Sequence, residues 1–459
     1  MWSASSRAAA RRPNVVFILT DNQGAWTLGC HGNPDIKTPN VDRLAAEGIR
    51  FTRALSSNPV CSPTRATFLT GLIPSQHGVH SFLDGKLMMG PGARNTIAEF
   101  TSVGEVLREA GYVCGLSGKW HLGAHLTPSE GFSFWVTKPE GHTKEFYNQE
   151  IIENGRVRME AGYTTDLWTR KGVEFLEQNK EKPFFLFLAY NGPYLLGDLM
   201  LQPARNRHAE GYKGHHFLSF PTDSMHPWQR SNKRFHNSQG AMERAACEIS
   251  GVDDGVGEIL STLKRLNLEE DTLVVYSSDQ GWMGGQNGMW GMGDHFRPIG
   301  AHELMMQIPL IFRHPGRIPA GQTSDALISN YDFLPTLLGY LGLSEHIPQK
   351  PKPPGGDFSP VLTGGAAPGR DAVFYEMENT RAVRTDAWKY VERFPDGPQE
   401  LYHMERDPGE RVNLFGQPGT EEIRTALARR LEAFFAHHAD PKYDLWRGGG
   451  SKVTRLPPK

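Results

Sequence analysis

The chain has 459 residues, 38% hydrophobic and 22% charged, which sets it among folded proteins with room for one large core and a smaller unit and excludes a disordered chain. Its 49 Lys and Arg against 51 Asp and Glu leave a net charge of −2, so no global basic field draws in nucleic acid. No stretch reaches the ~20 apolar residues of a membrane span, and Cys30, Cys61, Cys114 and Cys247 form no CxxC pair, which argues against a disulfide framework or a zinc site.

The opening "MWSASSRAAARRP" carries basic and small residues but no apolar run of signal-peptide length. Read literally the chain is cytoplasmic; a trimmed start fits export to the periplasm or medium equally well, and localisation stays open. "NVVFILTD", Asn14 to Asp21, is a short apolar strand ending in a carboxylate. Thr38 then caps a helix opened by Pro39, with Val41, Leu44 and Ala45 on one face and Gly48 as its stop. In "NPVCSPTRATFLTG" Pro63 suits a first helical position and Gly71 a stop, placing Cys61 at a helix N-terminus where negative charge is favoured. Alone, such a cysteine reads as buried filler.

Further apolar runs begin at Tyr112, Phe184, Thr272 and Ile308, uninterrupted as strands buried on both faces should be. Helical patterns at Asp166 to Gln178 and Met242 to Leu266 alternate with them. The expected architecture is α/β, a large and mainly parallel sheet sandwiched by helices, with ligands gathering at the strands' carboxyl ends. Asp21 and Asp279 stand at two such ends. From Asn191 to Gly240 the periodicity dissolves into a loop-rich segment bearing His208, His215, His216, His226, His236 and Trp228. It reads either as a solvated insertion or as a substrate-shaping wall, and with Trp26 its aromatic and cationic side chains would suit a sugar bearing an anion. After residue 365 four short strands, "VFYEM", "RAVRT", "WKYVERF" and "ELYHME", predict a small antiparallel sheet. A helix capped by Thr420 follows, with Ile423, Leu427, Leu431 and Phe434 as its buried stripe. The division is a catalytic domain over 1–365 and a C-terminal subdomain over 366–459.

"PNVVFILTDNQG", "TPNVDRLAAEGIRFTRA", "CSPTRATFLTG", "GKWHLG", "KPFFLFLAYNGP", "SSDQG", "GMWG" and "ELYHMERDPGERVNL" follow one another along nearly the whole chain. In that order they resemble the formylglycine-dependent sulfatases of the alkaline-phosphatase-like superfamily. The resemblance implies a sulfuric ester hydrolase whose Cys61 is oxidised to formylglycine by a modifying enzyme that reads the C-x-P-x-R stretch. It implies one Ca²⁺ held by Asp21, Asn22, Asp279, Gln280 and the modified Cys61. It assigns Arg65 to hold the diol and metal ligands, and Lys119 and His121 to bind sulfate and hydrogen-bond the diol. By themselves an Asp-Asn after a strand would read as a turn or cap, and a lone His as a core residue.

Two positions depart from the family pattern. Tyr194 stands where relatives usually carry a His, and Met292 where they carry the Lys of "GMWGK". Asn22 also replaces a second aspartate found in many relatives, and Gln280 an Asn or His, which lowers the anionic ligand count and the expected metal affinity. Those usual His and Lys groups bind sulfate and protonate the leaving alcohol. Tyr194 can still donate a hydrogen bond, while His295, Arg297 and His302, a few residues beyond Met292, are candidates to supply the missing charge. Three readings stay open: a sulfatase, a phosphodiester or phosphonate monoester hydrolase with the same diol and metal, or a sulfatase-like binding protein without turnover.

Overall fold

The computed structural model describes residues 12–366 and 369–453. Residues 1–11 lie outside them, as do residues 367–368 beside the expected domain boundary. No described helix is long and apolar enough to cross a membrane.

Ten strands form the main sheet: β1 (Asn14–Asp21), β2 (Ile49–Leu55), β3 (Val113–Gly118), β4 (Phe134–Thr137), β5 (Gln149–Glu153), β6 (Arg156–Glu160), β7 (Phe184–Pro193), β8 (Thr272–Ser278), β11 (Leu310–Arg313) and β12 (Gln322–Ser329). The short pair β9 (Met283–Gly284) and β10 (Trp290–Gly291) forms a separate ribbon. The order across the sheet is β12-β2-β11-β8-β1-β7-β3-β4-β5-β6. The centre, β8-β1-β7-β3-β4, is parallel. β11 runs antiparallel to both of its neighbours, and β5 and β6 close the other edge as an antiparallel hairpin.

β1 shows why its run is uninterrupted. Val15, Phe17 and Leu19 pack on one face with Ala66, Phe68, Leu69, Phe333 and Leu334. Val16 and Ile18 pack on the other with Val41, Leu44, Trp168, Val252 and Val256. Helices Cys61–Thr70 and Phe333–Tyr340 therefore cover one side. Helices Pro39–Ala46, Thr164–Asn179 and Gln239–Arg265 cover the other. With both faces buried, every β1 residue must be excluded from water, and the alternation of a half-exposed strand disappears. Helix Pro39–Ala46 is capped differently from the expectation. Thr38 makes no cap bond to it; Asp253 Oδ1 accepts from the backbone N–H groups of Asn40 at 3.0 Å and Val41 at 2.8 Å.

β13 (Ala372–Met377), β14 (Thr380–Thr385), β15 (Trp388–Arg393) and β16 (Glu400–His403) make the small antiparallel sheet, in sequence order. Alternate residues again divide between faces. Ala382 and Val391 pack with Leu55 and Val60, while Val383 and Tyr390 meet Leu427, Leu431 and Phe435 of helix Glu421–His438. The buried stripe of that helix uses Phe435; Ile423 and Phe434 are only partly covered. This sheet also braces the loop before Cys61. Glu376 N–H donates to Ser57 O at 2.9 Å and Asn58 Nδ2 donates to Glu376 O at 2.8 Å.

Candidate active site

Four adjacent parallel strands, β8, β1, β7 and β3, end on the same side of the sheet, so each delivers the residues after it to one place. β1 brings Asp21 and Asn22, β8 brings Asp279 and Gln280, β3 brings Lys119 and His121, and β7 brings Tyr194. The backbone is drawn in tightly there: Lys119 N–H donates to Ala189 O at 2.7 Å, and a Cβ on Gly118 would collide with that carbonyl. Helix Cys61–Thr70 arrives from the side and is buried along its whole length. It starts at Cys61 itself, two residues before Pro63, with Thr64 N–H on Val60 O at 3.2 Å, and it ends at a left-handed Gly71 as expected. Asn58 Oδ1 accepts from Val60 N–H at 2.8 Å and sets the entry turn.

The resulting cluster is ionic and dry. Arg65 Nε and Nη2 donate to Asp279 Oδ2 at 3.0 and 2.8 Å, and Nη1 donates to Lys119 O at 2.8 Å. Lys119 Nζ donates to Asp21 Oδ2 at 2.5 Å. Asp279 Oδ1 accepts from the backbone N–H groups of Asn22 and Gln280, both at 3.0 Å. All four charged side chains are fully buried. Burial and the neighbouring Asp21 carboxylate push the Asp279 carboxyl up, against Arg65 and Lys119. Burial likewise pushes the Cys61 thiol up to about 12, so a reactive thiolate does not form there.

One ligand atom each from Asp21, Cys61 and Asp279 lies within 4.8 Å of the others. Around them Asp21 Oδ1, Asn22 Nδ2 and Gln280 Oε1 are buried without a partner, and the Gln280 and Asn22 amides crowd against each other. Buried polar atoms left unpaired are costly. The two oxygens among them, Asp21 Oδ1 and Gln280 Oε1, suit a hard divalent cation such as Ca²⁺. The family's Cys61-derived aldehyde fits as well, because the thiol sits beside these donors with Gln280 Nε2 at 3.8 Å.

His121 lies next to the cluster in a left-handed conformation, φ 61°, with both ring nitrogens unpaired. Burial, with Lys119 adding to it, holds its ring well below the usual imidazole range and therefore neutral. Tyr194 is also left-handed, φ 40°; its N–H donates to Asp21 O at 3.0 Å and its ring lies 5.2 Å from Lys119 Nζ. Met292 is buried with its sulfur 3.4 Å from Gln280 Nε2.

Tyr194 and Met292, which touch Lys119 and Gln280, both line a cleft of about 980 Å³. His295 and Arg297 line it too, as do Arg230 and Asn232 of the loop-rich segment. That segment is a packed wall: Leu195, Leu199, Tyr212, Phe217, Phe220 and Phe235 are buried with Trp282, Trp290 and Met292. Two expectations change. His302 lines a different cavity, with His226, Trp228 and Tyr402, because it heads the separate short helix Glu303–Met306. Trp26 stacks on Trp282 at 5.5 Å and donates to the Trp282 carbonyl at 2.7 Å, so it packs the wall and offers no sugar platform. Sequence reasoning missed His142, which lines the cleft with Nδ1 2.8 Å from the Tyr194 hydroxyl. Its segment, "EGHTKE", shows neither periodicity nor a motif that could have singled it out.

Residues 13–343 match the Sulfatase family model, and residues 295–437 match the model for the N-sulphoglucosamine sulphohydrolase C-terminal region. The chain belongs to the sulfatase family. This sulfatase is 27% identical to the N-acetylglucosamine-6-O-sulfatase of Bacteroides thetaiotaomicron, over 92% of this chain and 86% of that one. It is 30% identical to arylsulfatase A of Homo sapiens, over 92% and 88%. A solved structure in complex with its substrate D-glucosamine-2-N,6-O-disulfate aligns at a TM-score of 0.79 and 26% identity, covering 93% of this sulfatase and 98% of that chain. The phosphonate monoester hydrolase of Agrobacterium radiobacter shares the fold, with a TM-score of 0.70 at 21% identity over 94% and 97%. The protein is thus a sulfuric ester hydrolase of the alkaline-phosphatase-like superfamily.

Proposed function

We propose that this enzyme hydrolyses a sulfate monoester carried on a saccharide, using formylglycine made from Cys61 by a formylglycine-generating enzyme and one Ca²⁺ ion. The observation that carries the reading is the convergence of the Asp21, Cys61 and Asp279 donor atoms within 4.8 Å, flanked by Lys119 and Arg65. The saccharide assignment leans on relatives named for N-acetylglucosamine and N-acetylgalactosamine sulfates.

Asp21, Asn22, Asp279 and Gln280 would hold the ion, which would neutralise the sulfate oxygens and acidify the attacking hydroxyl. Formylglycine at position 61 would supply, as its hydrate, one hydroxyl to attack sulfur and a second through which sulfate would leave. Arg65 clamps Asp279 through two nitrogens and Lys119 through its carbonyl, fixing the ligand set before substrate arrives. Lys119 places a buried ammonium where negative charge gathers on the transferring group. His121, kept neutral, accepts the proton that sulfate release requires. Tyr194, which lines the cleft beside Lys119, would face the departing alcohol.

Mass spectrometry of the peptide spanning Cys61, from a host that contains the modifying enzyme, tests the nucleophile; a thiol in fully matured protein overturns it. Turnover of aryl sulfate, aryl phosphodiester and phosphonate substrates, with and without Ca²⁺, tests the reaction. Sulfate hydrolysis that depends on Ca²⁺ is the expected result. Preference for a phosphodiester or phosphonate overturns the sulfate assignment.

A further inference from the structure

We propose that His142 is a positioning residue for hydrolysis: it holds the Tyr194 hydroxyl so that its proton is directed at the departing ester oxygen. This rests on the sulfatase reading of the same site and adds a residue to it. His142 Nδ1 lies 2.8 Å from the Tyr194 oxygen, and both side chains line the cleft. With the proton on Nδ1 the imidazole donates to the phenol oxygen, and the phenol's own proton is free to point into the cleft.

The loop that presents His142 is built around the buried Lys138 amine, which burial and then Lys119 push down to about 7. Lys138 Nζ donates to the His142 carbonyl at 2.7 Å and to Thr143 Oγ1 at 3.3 Å. Thr143 Oγ1 accepts from Asn191 Nδ2 at 3.1 Å, and Asn191 lies three residues before Tyr194 on β7. The two halves of the pair are therefore tied to each other twice, once through side chains and once through the loop. Phe82 packs edge-on against the His142 ring at 4.9 Å, and the His121 ring stands 5.8 Å away on another side. Gly141 lets the loop approach, since a Cβ there would strike the His121 ring. Burial and the two nearby lysines hold His142 down to about 4, so the ring is a neutral donor–acceptor at ordinary pH.

The arrangement meets a chemical need at this site. When the S–O bond breaks, its electron pair goes to the leaving oxygen, and the alcohol is completed by a proton from solvent water. A hydrogen bond to that oxygen strengthens as the charge grows, which is the condition for lowering the barrier. Met292 has no proton to give, whereas the Tyr194 hydroxyl has one and a partner that orients it.

The test is a series of sulfate esters of rising leaving-group pKa, from 4-nitrophenyl sulfate to a simple alkyl sulfate, on fully matured protein with Ca²⁺. Tyr194→Phe and His142→Leu should each lose about 100-fold in kcat/KM on the alkyl ester and about 10-fold or less on the nitrophenyl ester. The double variant should be no worse than Tyr194→Phe, and His142→Asn, which keeps a donor near the Nδ1 position, should recover most of the alkyl-ester rate. A leaving-group slope unchanged by His142→Leu, or losses that multiply in the double variant, overturns the proposal. Should His142→Leu fail to fold, Tyr194→Phe decides by itself: an unchanged slope overturns the proposal. No turnover of any sulfate ester by the matured wild type overturns the sulfatase reading and this proposal with it; turnover with an unchanged slope overturns only the second.

Discussion

The inner and outer halves of the active site are built on different principles. The inner half comes from strand ends and one buried helix, and it is an ion cluster: Asp21, Asp279, Arg65 and Lys119, with no side chain exposed. The outer half comes from loops, and where relatives carry cations it presents a thioether and a phenol, Met292 and Tyr194, with His142 behind the phenol. Chemistry on the sulfate group is therefore concentrated in the part the sheet holds rigid. Chemistry on the alcohol is left to parts that a loop can rebuild. Changes to the inner half should cost activity heavily, with stability where a buried charge loses its partner, and changes to the outer half should grade activity with the leaving group.

The sharpest way to break that division is to remove a charge from the inner half. Lys119→Met should cost about 10²–10³ in kcat on an aryl sulfate, as for other preorganised donors to a developing anion. Arg65→Ala should bring activity to background and lower stability by about 3–5 kcal/mol, because Asp279 is left buried without its partner. Urea unfolding followed by circular dichroism reads the second effect. An Arg65→Ala protein as stable as wild type would show that Asp279 does not need this partner in the folded state.

The border between the halves offers a subtler test. Gln280 touches both Asn22 and Met292. Asn22 and Met292, both neutral, thus flank one ligand at the two positions where the family pattern puts an anion and a cation. One charge of each sign is missing together, so the cluster keeps its balance. Met292→Lys alone buries an ammonium without an anion, and Asn22→Asp alone adds a third carboxylate; each should lower the melting temperature in EDTA. Combined, the two should offset each other by about 1–3 kcal/mol. Additive losses in the double variant would mean that the substitutions are independent.

The same contrast governs what could be read before the fold was known. Asp21 and Asp279 were legible because each follows an uninterrupted apolar run, and a parallel sheet must bring such ends together, whereas Lys119 was marked by the family resemblance of "GKWHLG". The strands away from the sheet's centre were harder. β2, "IRFTRAL", carries Arg50 and Arg53 on its partly exposed positions, and a two-residue alternation broken by arginines does not announce a strand beside a buried sheet. His302 was misjudged because distance along the chain stood in for distance in space. The polypeptide after Met292 keeps His295 and Arg297 in the cleft and then turns away at Glu303. His142 had no sequence signal, since its partner lies 52 residues later and meets it only through β7.

Outside the cluster, pH dependence should report on packing and not on catalysis. His80, His125 and His302 are buried, and burial lowers each ring from 6.5 to about 4. The unfolded chain takes up protons on these rings below pH 6.5 while the folded chain does not until about 4. Stability contributed by the neutral rings is complete above 6.5 and declines as pH falls toward 4, at up to about 1.4 kcal/mol per pH unit for each. Unfolding free energies at pH 7, 6 and 5 check the sign, and His302→Phe should flatten the slope without touching the cleft.

The smallest expected effect lies at the rim of the cleft. Arg230 is exposed, and its backbone N–H donates to His295 O at 2.9 Å, which fixes the loop while the guanidinium borders the cleft. A cation in that position attracts a sulfate ester before it is bound but lies apart from the buried cluster where charge develops. It should therefore act on binding alone. Arg230→Gln should raise KM for 4-nitrophenyl sulfate about threefold with kcat unchanged, the scale of one exposed charge. Because the attraction crosses solvent, raising salt to about 1 M, where screening acts within about 3 Å, should bring the wild-type KM up to that of the variant. A drop in kcat would move Arg230 from the rim into the catalytic half and redraw the border between the two.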